Sequence, residues 1–209
     1  MRKIIYLSVI LFTATISFAQ NNYSIEFNYG LISPLTRTNG LQGAGKINYQ
    51  LDKNIRIYAT IGYGIWGAEK IHYKTSSSGF NTLVSSENHK LIPVHFGTHL
   101  LLKESNFLDL FATAEIGFSF FSYLKHNHNS FIDPNTKEIV YYPSDKPNKE
   151  VSDFLLGIGI GLGGSHKISK NTELHLQLKI NTNYTTKTKN PFDTNVTYTS
   201  LIMGFNYFL

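Results

Sequence analysis

Residues 172–185 read TELHLQLKINTNYT, and the character of the side chain changes at almost every step. Leu174, Leu176, Leu178 and Ile180 share one phase, while His175, Gln177, Lys179 and Asn181 share the other. A period of two belongs to an extended strand with one apolar and one polar face, because successive Cβ atoms point to opposite sides of a sheet. The stretch decides the fold class once its phase is followed along the rest of the chain.

Strands are expected over 22–32, 41–51, 55–67, 91–102, 107–123, 152–167, 172–185 and 196–209. Their common apolar face runs from Ile25, Phe27, Tyr29 and Leu31, through the alternation of Ile55 to Ile65, to Leu201, Met203, Phe205, Tyr207 and Leu209. It carries no charged residue. The opposite phase holds Glu26, Lys46, Arg56, His95, His99, Asp109, Glu115, His175 and Lys179, with Asn, Gln and Thr between them. Residues 52–54, 103–106 and 169–171 are tight polar turns, whereas 33–40, 68–90, 124–151 and 186–195 are long and rich in Ser, Asn, Pro, Lys and His. Short turns at one end and long loops at the other describe an all-β, eight-stranded antiparallel up-and-down meander.

The 209 residues contain no cysteine, which removes disulfides, thiolate metal sites and a thiol nucleophile. Residues 1–19 have the form of a cleavable signal peptide: Arg2 and Lys3, an apolar run from Ile4 to Ile16, then Ser17-Phe18-Ala19 before Gln20. Residues 20–209 then form one domain, with no linker to divide them. Without Arg2 and Lys3 the formal charge falls from +5 to about +3, scattered along the chain. No basic stripe for nucleic acid is present.

Polarity alone does not say which face of a closed meander points inward. A lipocalin-type soluble barrel would turn the apolar phase in, and a transmembrane barrel would turn it out. Three observations favour the membrane: strands that match or exceed the roughly 9–11 residues needed to cross a bilayer, aromatic residues such as Tyr23, Tyr49, Phe107 and Tyr207 near strand ends, and the export signal. In hydrocarbon an unpaired backbone edge is costly, so the last strand must pair with the first. Pro93 conflicts locally with a continuous ladder and is expected near the loop rim, absorbed by a bulge.

The signal ending FAQ (residues 18–20), the meander, KLIPVHFG (90–97) and the final GFNYFL (204–209) together resemble the small porin-like outer-membrane β-barrel family of Gram-negative bacteria, including PorT-like and OmpX/OmpW-like barrels. The resemblance implies a terminal signature in Gly204, Tyr207 and Leu209 that is recognised by the barrel-assembly machinery. Leu209 stands where such chains usually end in Phe, and Ile202 where a polar residue is typical.

Eight strands leave room for side chains or a small ligand, and hardly for a channel. The inward charges Glu26, Lys46, Arg56, Asp109, Glu115 and Lys179 are therefore expected to form a plug of paired groups in the lumen. The G-x-G-x-x-G at Gly159, Gly161 and Gly164 continues as strand rather than opening a helix, so the match is accidental, and Gly157, Gly159, Gly161 and Gly163 read instead as space for large neighbours such as Phe111 or Trp66. His95 and His99 share a face but lie about 13 Å apart along a strand, which discourages a shared metal. His72, Ser85, Glu87, His89 and Ser122 are the residues from which a rim-located lipid-modifying enzyme would have to be assembled.

The expected protein is a monomeric outer-membrane barrel with periplasmic termini, four outer loops, surrounding lipid as its partner, and no cofactor. Its role is expected to be non-enzymatic: structural, loop-mediated binding, or a very narrow pore. A lipid-modifying enzyme and a lipocalin-like carrier are the alternatives. On the lipid face Ile61→Arg is expected to cost about 2–4 kcal/mol near the bilayer midplane, and Lys179→Gln less.

Overall fold

A computed structural model describes residues 22–35, 38–75, 79–105, 107–185 and 194–209. The expected signal peptide at 1–19 lies outside these residues. The described strands are β1 (Tyr23–Pro34), β2 (Gly40–Asp52), β3 (Ile55–Trp66), β4 (Glu69–Thr75), β5 (Gly79–Ser86), β6 (His89–Lys103), β7 (Asp109–Lys125), β8 (His128–Ile132), β9 (Ile139–Pro143), β10 (Lys149–Ser169), β11 (Thr172–Thr185) and β12 (Thr194–Phe208).

Eight of them close on themselves in the order β10-β11-β12-β1-β2-β3-β6-β7, with β7 paired back to β10. Every neighbouring pair is antiparallel. The closing seam runs from Ser24 opposite Phe208 to Pro34 opposite Tyr198. Beyond it the Leu209 N–H donates to Tyr23 O at 3.0 Å. All eight strands lie within a few residues of the limits expected from alternation.

The two longest loops hold additional strands. Residues expected as loop contain the β4–β5 and β8–β9 hairpins, the latter forming a separate two-stranded sheet. Both rise from the end opposite the chain termini, called here the loop end.

The apolar phase points outward. Phe27, Ile61, Ile116 and Met203 are each 60–66% exposed, while Glu26 and Asn206 are no more than 3% exposed. A soluble barrel with an apolar interior is excluded by this inversion. The outward belt spans Phe27 to Leu31 on β1 and Leu156 to Leu162 on β10, and such a surface is stable only against hydrocarbon.

Pro93 is accommodated differently from the expectation. It pairs with Ser119 on β7 without a register shift, and its side chain faces inward against Gly62. On the other side, the β3–β6 ladder stops at Ile61 opposite Val94 and resumes at Gly64 opposite Leu91. The missing donor falls in a two-residue interruption of the ladder rather than in a bulge. Three of the four register irregularities within the barrel lie at the turn end, after Gln50, Leu101 and Lys167, where the chain reverses.

Ile61→Arg should destabilise the refolded barrel by about 2–4 kcal/mol, whereas Leu35→Arg, beyond the end of β1, should cost about 0–1 kcal/mol. Urea titration in lipid vesicles measures both; equal costs would contradict the position of the belt.

Candidate functional site

The inward phase converges on two carboxylates in the half of the lumen nearer the turns. Glu115 on β7 accepts from Lys179 Nζ at 2.8 and 3.0 Å, from Asn181 Nδ2 at 2.7 Å and from the Tyr58 hydroxyl at 3.1 Å. His95 Nδ1 stands 2.6 Å from the same carboxylate. Glu26 on β1 lies 2.5 Å from Lys46 Nζ, accepts from Asn28 Nδ2 at 2.8 Å, and has His175 Nε2 3.5 Å away. The Lys46 ammonium sits 4.4 Å from the centre of the Tyr58 ring, so Tyr58 joins the two clusters.

A third pair guards the turn end. Arg56 donates through both terminal nitrogens to Glu173 at 3.1 and 3.0 Å, and through Nε to Gln50 at 2.9 Å. Phe208, inward by phase, lies under the guanidinium with 5.1 Å between Cζ and the ring centre. The bidentate geometry and the ring face hold Arg56 across the mouth.

Five of the six residues expected in the charge cluster are therefore in it: Glu26, Lys46, Arg56, Glu115 and Lys179. Asp109 is not, because it starts β7 and accepts from the Ser105 N–H at 3.0 Å, closing the β6–β7 turn. Glu173, His95 and Asn181 complete the network. With Glu173 included, three acids face three bases, so each of these buried carboxylates has a cation beside it.

Glycines on β10 make the room. A Cβ at Gly159 would lie 2.9 Å from Glu115 Cγ, one at Gly157 would press on Asn183 and His95, and one at Gly163 would meet the Phe111 ring. Phe111 is thus a neighbour as expected, but Trp66 is not. Gly159, Gly161 and Gly164 all lie inside the uninterrupted β10, so no phosphate-binding turn forms.

Trp66 belongs to a second, apolar tier at the loop end. Ile32, Trp66, Leu91, Phe121, Leu155, Val196 and Tyr198 form one buried cluster across the lumen. His89 is stacked in it, 5.8 Å from Trp66 and 5.7 Å from Phe121, with Tyr123 packed beside it. Between the tiers a cavity of about 40 Å³ is lined by Lys46, His95, Lys179, Leu91 and Tyr198 among others, enough for ordered water beside the polar groups.

No family model matches the sequence, and no curated protein matches it. Solved structures do. Neisserial surface protein A superposes with a TM-score of 0.56 at 12% identity, covering 90% of this chain and 97% of its own. The outer membrane protease OmpT from Escherichia coli gives 0.53 at 12% identity, over 91% and 98%. Ail, the attachment invasion locus protein of Yersinia pestis, solved with the heparin analogue sucrose octasulfate, gives 0.50 at 11% identity, over 90% and 99%. The chain is a transmembrane β-barrel of the outer-membrane type.

Among the described residues, the rim candidates do not come together into one group. The Ser85 hydroxyl donates to Glu69 O at 3.1 Å, His89 is buried in the apolar tier, and Ser122 lies on the outward phase of β7. Glu87, largely exposed, has His126 Nε2 3.6 Å away. The side chain of His72 lies outside the described residues. His99 stacks on Phe111 at 4.1 Å, and His128 meets the edge of Tyr141, so these histidines have aromatic neighbours.

At the end of the barrel's chain, Gly204 has a packing role of its own. Its inward side is occupied by the His175–Asn28 hydrogen bond of 3.0 Å, and any Cβ would collide with both side chains. Tyr207 faces outward at the turn-end edge of the belt, and Leu209 is half-buried beside Tyr23.

The charge network revises one expectation. Lys179→Gln removes the ammonium paired with Glu115 and should cost about 3–5 kcal/mol, comparable to Ile61→Arg rather than milder. A double-mutant cycle with Glu115→Gln should recover a coupling of at least about 1 kcal/mol; additivity in vesicle refolding would show that the pair does not act as one.

Proposed function

We propose that this barrel is a sealed, non-enzymatic scaffold whose working surface is the pair of extracellular hairpins. The observation that carries the reading is the two-tier lumen, ion-paired toward the turns and apolar toward the loops, with a cavity of about 40 Å³ between the tiers. It argues against the narrow-pore role. The absence of a Ser–His–carboxylate grouping among the described rim residues supports a non-enzymatic reading over lipid modification, even though a protease shares the fold.

Large side chains on the β8–β9 hairpin favour binding. Phe131, Ile132, Ile139 and Tyr142 are 45–64% exposed on a hairpin beyond the belt. Exposed apolar and aromatic groups held on a rigid framework are the usual material of recognition surfaces. Ail, a barrel of this fold, was solved in complex with a heparin analogue.

Within the membrane the partners are lipid and, during insertion, the assembly machinery, for which Gly204, Tyr207 and Leu209 form the expected signature. On the lipid face Ala59, Thr98 and Ala114 leave a shallow apolar depression of about 630 Å³ between Ile47, Ile57, Phe96 and Ile116, a shape that suits acyl chains.

In planar bilayers the refolded barrel should produce no discrete conductance steps, and cells overproducing it should keep an unchanged lipid A and phospholipid profile. Stable channels would overturn the sealed lumen, and a new lipid species would overturn the non-enzymatic role.

A further inference from the structure

We propose that the outer edge of β8 pairs with the β8 edge of a second copy of this chain, joining two hairpins into a four-stranded sheet. The inference rests on reading the extracellular hairpins as the working surface, and it names their partner.

The hairpin is built to hold its shape. The Asp133 N–H donates to Glu138 O at 2.9 Å, the Lys137 N–H donates to Asp133 O at 2.8 Å, and Lys137 takes the left-handed conformation with φ of 60°. Asp133 Oδ1 also accepts the Asn135 N–H at 2.9 Å. At the base, the Ser144 N–H donates to Asn127 O at 3.1 Å. These bonds fix the ladder: Asn127, Asn129, Phe131 and Asp133 turn their main-chain groups toward β9. His128, Ser130 and Ile132 consequently turn theirs away, to an edge with no strand beside it among the described residues.

That edge lacks the usual protection. Proteins guard free strand edges with charge, proline or a bulge. β8 reads HNSFI, with no acid, lysine, arginine or proline, and its pairing with β9 shows no register shift. β9, by contrast, contacts β4 and ends in Pro143. An uncharged, flat edge flanked by Phe131 and Ile132, both at least half exposed, is suited to strand addition.

A second copy fits because antiparallel pairing of a strand with itself is self-complementary under a twofold axis. Centring the axis on Ser130 pairs all five residues: His128 with Ile132, Asn129 with Phe131, and Ser130 with itself. About six main-chain hydrogen bonds would form in that register. Charge agrees with it, since Asp133 of one copy falls beside Asn127 and His126 of the other and meets no acid.

The chain's lack of cysteine makes the register directly testable. In the proposed pair two Ser130 Cα atoms stand about 5.5 Å apart, within disulfide range. Full-length Ser130→Cys, refolded in lipid vesicles and mildly oxidised, should give a disulfide-linked dimer about tenfold faster than Asn135→Cys, which sits exposed at the hairpin tip too far from its copy to bridge. Ser130→Pro removes the edge-facing donor and should abolish dimer captured by amine cross-linking while preserving the heat-dependent gel shift of a folded barrel. Equal rates for the two cysteine variants would mean random collision and overturn the proposal. So would a Ser130→Cys variant that stays monomeric, the result expected if the edge instead takes an extended segment of another protein. Either failure leaves the sealed-lumen reading standing, because that reading is decided by conductance and lipid analysis.

Discussion

The seam between β1 and β12 is the constraint on which the rest of the structure depends. A sheet with its apolar face toward lipid must not leave backbone donors and acceptors unpaired there, since each would cost several kcal/mol. Pairing Ser24 through Pro34 with Phe208 through Tyr198 removes the two edges that the meander would otherwise expose. Once the sheet closes, the polar phase has nowhere to go but the lumen. The interior chemistry is therefore a consequence of closure, and so is the need for each buried charge to find a partner inside.

The lumen meets that need differently at its two ends. Near the turns, Glu26, Glu115 and Glu173 are each matched by a base, and Asn28, Asn181 and Tyr58 occupy remaining carboxylate positions. Near the loops, charge gives way to stacked rings and aliphatic groups around His89. The small residues of β10 and the large residues of β7 are complementary halves of one filled volume. Removing space at Gly159 or volume at Phe111 would disturb packing that both strands share.

Much of this was legible in the sequence because alternation is a local signal. The phase of Leu174, Leu176 and Leu178 fixes which side of β11 is apolar, and tight turns such as 169–171 fix where strands reverse. Glu26 opposite Lys46 follows from a single hairpin register. Arg56 with Glu173 does not, because it crosses the lumen between residues 117 positions apart and exists only in the closed barrel. Asp109 shows the converse limit: its phase is inward, yet its position at the strand start commits it to the Ser105 N–H. The β4–β5 and β8–β9 hairpins were hidden by composition, since Ser, Asn, Pro and Lys around them mask short runs such as HNSFI and IVYYP. Pro93 escaped a bulge because Gly62 opposite it leaves room for the ring within a locally open ladder.

Trp66 is the only tryptophan in the chain, and it stands 1% exposed beside His89 and Phe121 in the apolar tier at the loop end. The molecule thus carries its own optical probe in the apolar tier at the loop end of its lumen. Indole emission shifts with the polarity around the ring, so the colour and quenching of this protein's fluorescence report one event, the wetting of the apolar tier, without any label. Loosening of the hairpins that left the tier dry would be silent in that signal, and the two ends of the barrel can be followed separately.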